Sequence, residues 1–437
     1  MQTINNIFNK FLDGLMAFAD LKSVQALKDG FVMTVPITIA GSVFLLLASL
    51  PFNGYDAFMA GIFGANWTVP LYKVSGATFD ILALMLAILI PYKYAEHEGQ
   101  DAMGCGLIGL VAFLITTGDS VISAGGETVG SVIPKAWIGG SGTITAIIMG
   151  LISAKMFCWF MKRDIRIKLP DSVPENVSRA FSALIPGFVV FLVSTIIYTV
   201  CYLGFGKTPP ELVFSILQIP LMAIGTSLPG SIIMSFLMST LFWAGIHGPN
   251  VISGVMNPIW QSAALANQSI LDAGGELVAG TPGVDISTIQ VFDVFIKLGG
   301  CGMTIGLLVA AFMSAKSTQM KTISKLSFGC GIFNINEPVI FGLPIAFNPF
   351  YLVPFSLVPI VGLIITYVSI SIGFMKPFGA ISVPWTTPPI ISGLLLGGFP
   401  GLVVQLLIMA ASIAIYFPFV KAHDAQLLKQ EQEGSQE

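Results

Sequence analysis

The sequence predicts an all-α polytopic membrane protein of about ten transmembrane helices plus re-entrant hairpins. Three observations predict it. Only 10% of the 437 residues are Asp, Glu, Lys or Arg, against about 25% in an ordinary soluble protein. Apolar residues make up 54% of the chain, and the mean hydropathy is +0.85. Finally, residues 212–271 contain none of those four charged types, and residues 326–420 contain only Glu337 and Lys376. A surface so poor in charge is solvated by lipid, not water. The net charge of −3 removes any electrostatic case for nucleic acid as a partner. Cys105, Cys158, Cys201, Cys301 and Cys330 are scattered through apolar segments without a CxxC pair. They read as small buried hydrophobes, so neither a metal nor a cofactor is expected.

At the N-terminus no basic flank precedes a short apolar core, so a secretory signal is not expected. Ile4, Ile7, Phe8, Phe11, Leu12, Leu15 and Phe18 recur at helical spacing opposite Asn6, Lys10, Asp13 and Asp20. This pattern predicts an amphipathic helix lying in the membrane interface over residues 1–30. Spans then follow at 31–50, 81–92 extended back past Asp80, 102–118, 136–154 and 180–206. These are the uncharged stretches that approach the roughly 20 residues needed to cross about 30 Å of hydrocarbon.

Orientation follows from the basic residues. Residues 155–179 hold Lys155, Lys162, Arg163, Arg166, Lys168 and Arg179, which predicts a cytoplasmic connection. Counting back through the spans also places Lys10, Lys22 and Lys28 inside. The Gly-rich stretch 272–285 reads as external or cavity-facing, and Lys316, Lys321 and Lys325 read as cytoplasmic. Residues 421–437 read as a polar cytoplasmic tail, which puts both termini inside.

The pattern changes after residue 210, dividing a membrane-embedded half over 31–210 from a second over 211–420. The second half is rich in helix breakers. Residues 229–260 are interrupted by Pro229, Gly230, Gly245, Gly248, Pro249, Gly254 and Pro258, and residues 328–349 by Gly329, Gly331, Pro338, Gly342, Pro344 and Pro349. Broken backbone at membrane depth is tolerated only when buried in protein or lining a wet cavity. Paired broken segments therefore point to a transporter's binding site.

Three motifs carry candidate chemistry. Glu337 in Asn334-Ile335-Asn336-Glu337-Pro338 is the only acid in its long apolar tract. A mid-membrane carboxyl costs about 2.5–3.5 kcal/mol on insertion scales and needs a partner, a cavity or a proton. Asn334 and Asn336 supply amides, and Pro338 removes a backbone donor. A structural carboxyl bonded between helices is the alternative. His247 in Trp243-Ala244-Gly245-Ile246-His247-Gly248-Pro249-Asn250 is the only ionisable side chain of its own tract, and its flanking residues predict irregular backbone. His247 and Glu337 on two broken segments could jointly hold or deprotonate a hydroxyl. Trp385 in Val383-Pro384-Trp385-Thr386-Thr387-Pro388-Pro389 offers an aromatic face for a sugar ring, with an interfacial-belt tryptophan as the alternative reading. The same two readings apply to Trp243. Gly139, Gly140, Ser141 and Gly142 suit close helix packing or a loop reaching the substrate, while His97 and His423 read as structural. No nucleotide-binding loop, HExxH or GxSxG is present.

Gly245-Ile246-His247-Gly248, Asn334-Ile335-Asn336-Glu337-Pro338 and the Trp385 motif, with Leu169-Pro170-Asp171-Ser172-Val173-Pro174-Glu175-Asn176-Val177 in the basic connection, resemble one family. It is the permease component, enzyme IIC, of the lactose/cellobiose family of the bacterial phosphoenolpyruvate-dependent sugar phosphotransferase system. The resemblance spans residues 10–420. It implies a homodimer in the bacterial cytoplasmic membrane, with an N-terminal dimerisation half and a C-terminal half holding a β-linked disaccharide such as cellobiose, diacetylchitobiose or lactose. It places Glu337 and His247 near the sugar's C6 hydroxyl, with Glu337 as proton acceptor. Asn336 would bind a hydroxyl and Trp385 pack on a ring, with Asn334, Trp243 and Asn250 beside them. The phosphoryl group would come from a phosphocysteine on a separate IIB protein, so no phosphorylated residue is expected here. A proton-coupled sugar transporter, relaying protons through Glu337 and His247, is the rival reading.

Overall fold

The computed structural model describes residue 17 and residues 20–48, 54–123, 125–170, 172–245, 247–343 and 345–434, without the side chains of residues 42, 46, 176, 250, 337 and 434. The chain forms two compact units. The first comprises residues 1–41, 73–223 and 254–262, and the second residues 42–72, 224–253 and 263–437.

In the first unit, helix Leu82–His97 packs against Ala102–Thr116 and Thr143–Lys162. Its buried residues Leu82, Ala83, Leu86, Ala87 and Ile90 recur every three or four positions, which puts them on one face of the helix. Helix Leu184–Phe205 buries only a narrow stripe of Pro186, Gly187, Val190 and Ser194. Leu184, Phe188, Leu192, Ile196, Val200 and Leu203 are exposed on it, a face suited to hydrocarbon. Glu98, just past helix Leu82–His97, pairs with Lys22 at 3.1 Å and with Lys162. Burial opposes ionisation of Glu98, but hydrogen bonds from Lys162 and Lys22 outweigh it and hold the carboxyl below its usual range. His97, expected as a solvated loop residue at a helix end, is the last residue of this helix and half-buried, with its ring 3.0 Å from Asp29.

Most expected spans reappear with shifted ends. The N-terminal part of the expected interfacial helix lies outside the described residues, and from Lys22 the chain is already in the first long helix, Lys22–Ala48. Lys155 and Lys162 lie on helix Thr143–Lys162, so the basic connection proper begins at Arg163. Long Lys stems let a helix end carry charge while its body stays apolar. One feature departs from an all-helical fold: Ser120–Ile122 pairs antiparallel with Thr128–Gly130, Val121 opposite Val129.

In the second unit, helix Pro349–Ser371 packs against Leu228–Trp243 and Ile391–Gly434, and Ile305–Ser314 packs against Ile391–Gly434. Helix Ile391–Gly434 is broken at Gly398. It continues through the residues expected to be a polar tail, burying His423, Asp424 and Leu427. Asp424 accepts from the Lys316 N–H at 2.7 Å, the Ser317 N–H at 3.0 Å and the Ser317 hydroxyl at 2.6 Å. Glu431 accepts from the N–H groups of Thr318 and Gln319. Together they satisfy donors at the start of helix Thr318–Ile332 that have no partner within the helix. A polar sequence therefore does not mean a free tail here.

Among the described residues six helices are long and apolar enough to cross a membrane, or seven if Pro209–Gly225 and Leu228–Trp243, bent by 72°, form one broken span. Helix Ala102–Thr116 has 15 residues, which reach about 22 Å, less than a full crossing.

Candidate functional site

Four segments of the second unit carry the site. Helix Leu228–Trp243 ends at a tryptophan whose carbonyl accepts from the Phe347 N–H at 2.8 Å. The Trp243 indole N–H donates to the Asn348 carbonyl at 2.8 Å, and its ring lies 5.8 Å from that of Phe347. Gly245, at φ +80°, turns the chain out of this helix, and helix Gly248–Asp272 begins immediately after His247. His247 therefore occupies the gap between two helices. Its exposed ring lies 4.8 Å from Phe242, which in turn meets Phe355 edge-on at 6.2 Å.

The second segment is Gly299-Gly300-Cys301-Gly302, whose glycines have φ of +77°, +99° and +78°. Side chains are excluded at the glycines. A Cβ on Gly300 would lie 2.5 Å from the Asn336 amide carbon, and one on Gly302 would lie 2.3 Å from the Phe355 ring. Tyr416 donates to the Gly302 carbonyl at 2.6 Å and Ser412 to the Met303 carbonyl at 3.1 Å.

The third segment holds the acid. Helix Thr318–Ile332 closes with the Ile335 N–H on the Cys330 carbonyl and the Asn334 N–H on the Gly331 carbonyl, with Asn334 at φ +62°. That is a Schellman closure with Asn in the left-handed position. Asn336 then donates to the Cys301 carbonyl at 2.7 Å, and Glu337 opens the short helix Glu337–Gly342. The Glu337 and Asn250 side chains lie outside the described residues.

The fourth segment, residues 378–393, is almost entirely non-helical and is held by buried carboxamides. Asn267 donates to the Phe378 carbonyl at 2.8 Å, and Gln268 accepts from the Ala380 N–H at 3.0 Å. Gln290 donates to the carbonyls of Gly379 at 2.8 Å and Ile381 at 2.9 Å. Asn334 donates to those of Trp385 at 2.6 Å and Thr387 at 3.0 Å. Gln405 accepts from the Ile390 and Gly393 N–H groups and donates to the Val294 carbonyl at 3.0 Å. In hydrocarbon a backbone group without a partner costs several kcal/mol, and these amides supply the partners that a helix or sheet would otherwise provide. Trp385 is 53% exposed on this strap.

The structure thus joins Asn334 directly to the Trp385 segment, Asn336 to the glycine loop, and Trp243 to Phe347 and Asn348 beyond the Glu337 helix. Both amide hydrogens of Asn334 and one of Asn336 are spent on backbone carbonyls. Asn267, Gln268, Gln290, Gln405 and the glycine loop were not singled out from sequence. The loop did carry a signal, three glycines in four residues, but isolated Gln and Asn in apolar tracts did not. Beside this site, Asp285 accepts from the Thr226 hydroxyl at 2.6 Å, while Asn267 bonds both the N–H and the carbonyl of Asp285. Burial pushes the Asp285 carboxyl above its usual range, a shift the Thr226 hydrogen bond only partly opposes.

Apolar spans around a broken-backbone site with aromatic faces define a multi-pass membrane transporter for a small polar solute. The family model for Phosphotransferase system, EIIC matches residues 28–359, and the chain belongs to that family. It is a sugar permease of a phosphotransferase system, and the family implies a IIB partner. The chain is 40% identical to the lichenan permease IIC component of Bacillus subtilis (strain 168), over 99% of this chain and 96% of that protein. It is 37% identical to the cellobiose-specific EIIC component of Geobacillus stearothermophilus, over 95% and 92%. Among solved structures it matches ChbC, the IIC component of the N,N'-diacetylchitobiose-specific phosphotransferase system, with a TM-score of 0.90 and 38% identity, covering 95% of this chain and 96% of that one.

Proposed function

We propose that this permease imports a β-linked disaccharide, of the cellobiose, diacetylchitobiose or lactose class, and presents its C6 hydroxyl for phosphorylation by a phosphorylated IIB protein. The observation that carries this reading is the Asn334 bridge, which ties the segment opening at Glu337 to the strap bearing the exposed Trp385. One side chain, three residues before the acid, thereby ties its segment to the backbone that carries the aromatic face. The names of the similar proteins, which refer to lichenan, cellobiose and diacetylchitobiose, support a β-linked substrate.

In this mechanism Trp385 and Trp243 pack on the sugar rings. Asn336, through its amide oxygen, and Asn250 line the polar side, while Asn334 holds the Trp385 segment. His247 orients the C6 hydroxyl and Glu337 takes its proton. The C6 oxygen then attacks phosphorus, the phosphorus–sulfur bond of the IIB phosphocysteine breaks, and the thiolate departs. The product carries about −1.5 to −2 additional charge, which apolar walls disfavour, so return is opposed. The permease works as a homodimer of ten-helix protomers in the bacterial cytoplasmic membrane, residues 31–210 forming the scaffold and 211–420 the transport half, both termini cytoplasmic.

The test is uptake of radiolabelled cellobiose and diacetylchitobiose into vesicles containing the protein, with and without phosphorylated IIB. Sugar 6-phosphate forming only with phospho-IIB is the expected outcome. Accumulation of free sugar without IIB, abolished by an uncoupler, would instead establish the proton-coupled alternative.

A further inference from the structure

We infer that Asn334 is a positioning residue for sugar binding, whose carboxamide sets the Trp385 segment against the 299–302 loop. The inference rests on the reading of Trp385 as the ring-packing side chain.

The backbone shows why the residue is notable. Asn334 closes helix Thr318–Ile332 at φ +62°, in a position where glycine is the usual and least strained residue. Glycine would serve the turn better, so the value of Asn lies in its side chain. That side chain is 9% exposed and its donors are fully used. Both amide hydrogens go to the Trp385 and Thr387 carbonyls, at 2.6 and 3.0 Å. The amide oxygen accepts from the Gly299 N–H at 2.8 Å. An Asn side chain has two donor hydrogens, so none remains for a sugar hydroxyl. Gripping the carbonyls on both sides of Thr386 fixes the backbone that carries Trp385, while the indole stays 53% exposed. The glycine loop is in turn held by Asn336 through the Cys301 carbonyl. Asn334 thus acts through Trp385 and does not touch the sugar.

The test is a double-mutant cycle on the full-length protein in detergent, with cellobiose and diacetylchitobiose as probes. Affinity is read directly by equilibrium binding, and the contribution of Trp385 to emission is read as the difference between each protein and its Trp385→Ala counterpart. Asn334→Gly keeps the left-handed turn and removes the clasp. Asn334→Asp keeps the Gly299 contact and places a carboxylate against two carbonyl oxygens, so it carries the test should Asn334→Gly fail to fold. Trp385→Ala and either Asn334 variant are each expected to weaken binding about tenfold, and the double variant is expected to bind no worse than Trp385→Ala alone. In the Asn334 variants the response of Trp385 emission to sugar should be lost. An Asn334 loss that adds fully to the Trp385 loss would mean an independent contact and overturn the inference. Wild-type binding by both Asn334 variants, with Trp385→Ala impaired, would overturn it while sparing the reading of Trp385. Normal binding by Trp385→Ala would remove the ring-packing reading itself and this inference with it.

Discussion

At the scale of single residues, the proposed mechanism gives the proton transfer to the acid and the framing of the site to the amides. Glu337→Gln should abolish phosphoryl transfer from phospho-IIB while retaining measurable sugar binding, since the amide keeps the shape but cannot take the C6 proton. Assaying sugar 6-phosphate and equilibrium binding on the same preparation checks this, and normal transfer would remove Glu337 from the reaction. Asp285 allows a pH test. Its folded carboxyl is raised above the ordinary value of 3.8 by burial, so ionisation opposes folding. Its contribution to stability is complete below that value and is lost as pH rises through the higher folded one. Asp285→Asn, still able to accept from Thr226, should raise the melting temperature at pH 7 by a few degrees and flatten the pH dependence above pH 4. A lower melting temperature at pH 7 would show that the ionised form is needed. The motif residues were readable in the sequence because Glu337 and His247 stand alone in long apolar tracts. The carboxamides were not readable, because Asn334 meets Trp385 across 51 positions and Gln405 meets Val294 across 111.

At the scale of elements, helix Thr318–Ile332 is pinned at both ends. Its start is capped from helix Ile391–Gly434 by Asp424 and Glu431, and its end is closed by Asn334. Asp424→Ala would leave the N–H groups of Lys316 and Ser317 without their acceptor. A loss of about 1–2 kcal/mol is expected, read as a lower melting temperature, and an unchanged value would make the cap dispensable. Gly300→Ala should be worse. It combines a left-handed φ with a Cβ at 2.5 Å from the Asn336 amide, and should abolish sugar binding with a lower melting temperature. The sequence pattern located the broken segments well, since Gly and Pro interrupt apolar runs visibly. It misjudged the C-terminal element, because the helix over residues 421–434 is polar and its partners lie more than a hundred positions away.

At the scale of the whole molecule, composition alone established the membrane class, because a chain with 10% charge has no other solvent. Orientation is the reading most open to a direct check. In a cysteine-free background, Arg166→Cys and Glu276→Cys place a thiol in the basic connection and in the Gly-rich 272–285 stretch. A membrane-impermeant maleimide added to intact cells should label residue 276 and spare residue 166, and the opposite pattern would invert the topology.

The strap around Trp385 is framed by five neutral amides and no ion pair among its described holding contacts. Membrane voltage is worth about 2.3 kcal/mol per elementary charge per 100 mV. The five amides themselves give that voltage nothing to act on, and two of them are bonded in turn to acids, Gln268 to the Asp272 carboxylate at 2.8 Å and Asn267 to the Asp285 backbone. The shape of the proposed sugar platform should therefore differ between an energised cell and a depolarised vesicle only as far as those acids respond.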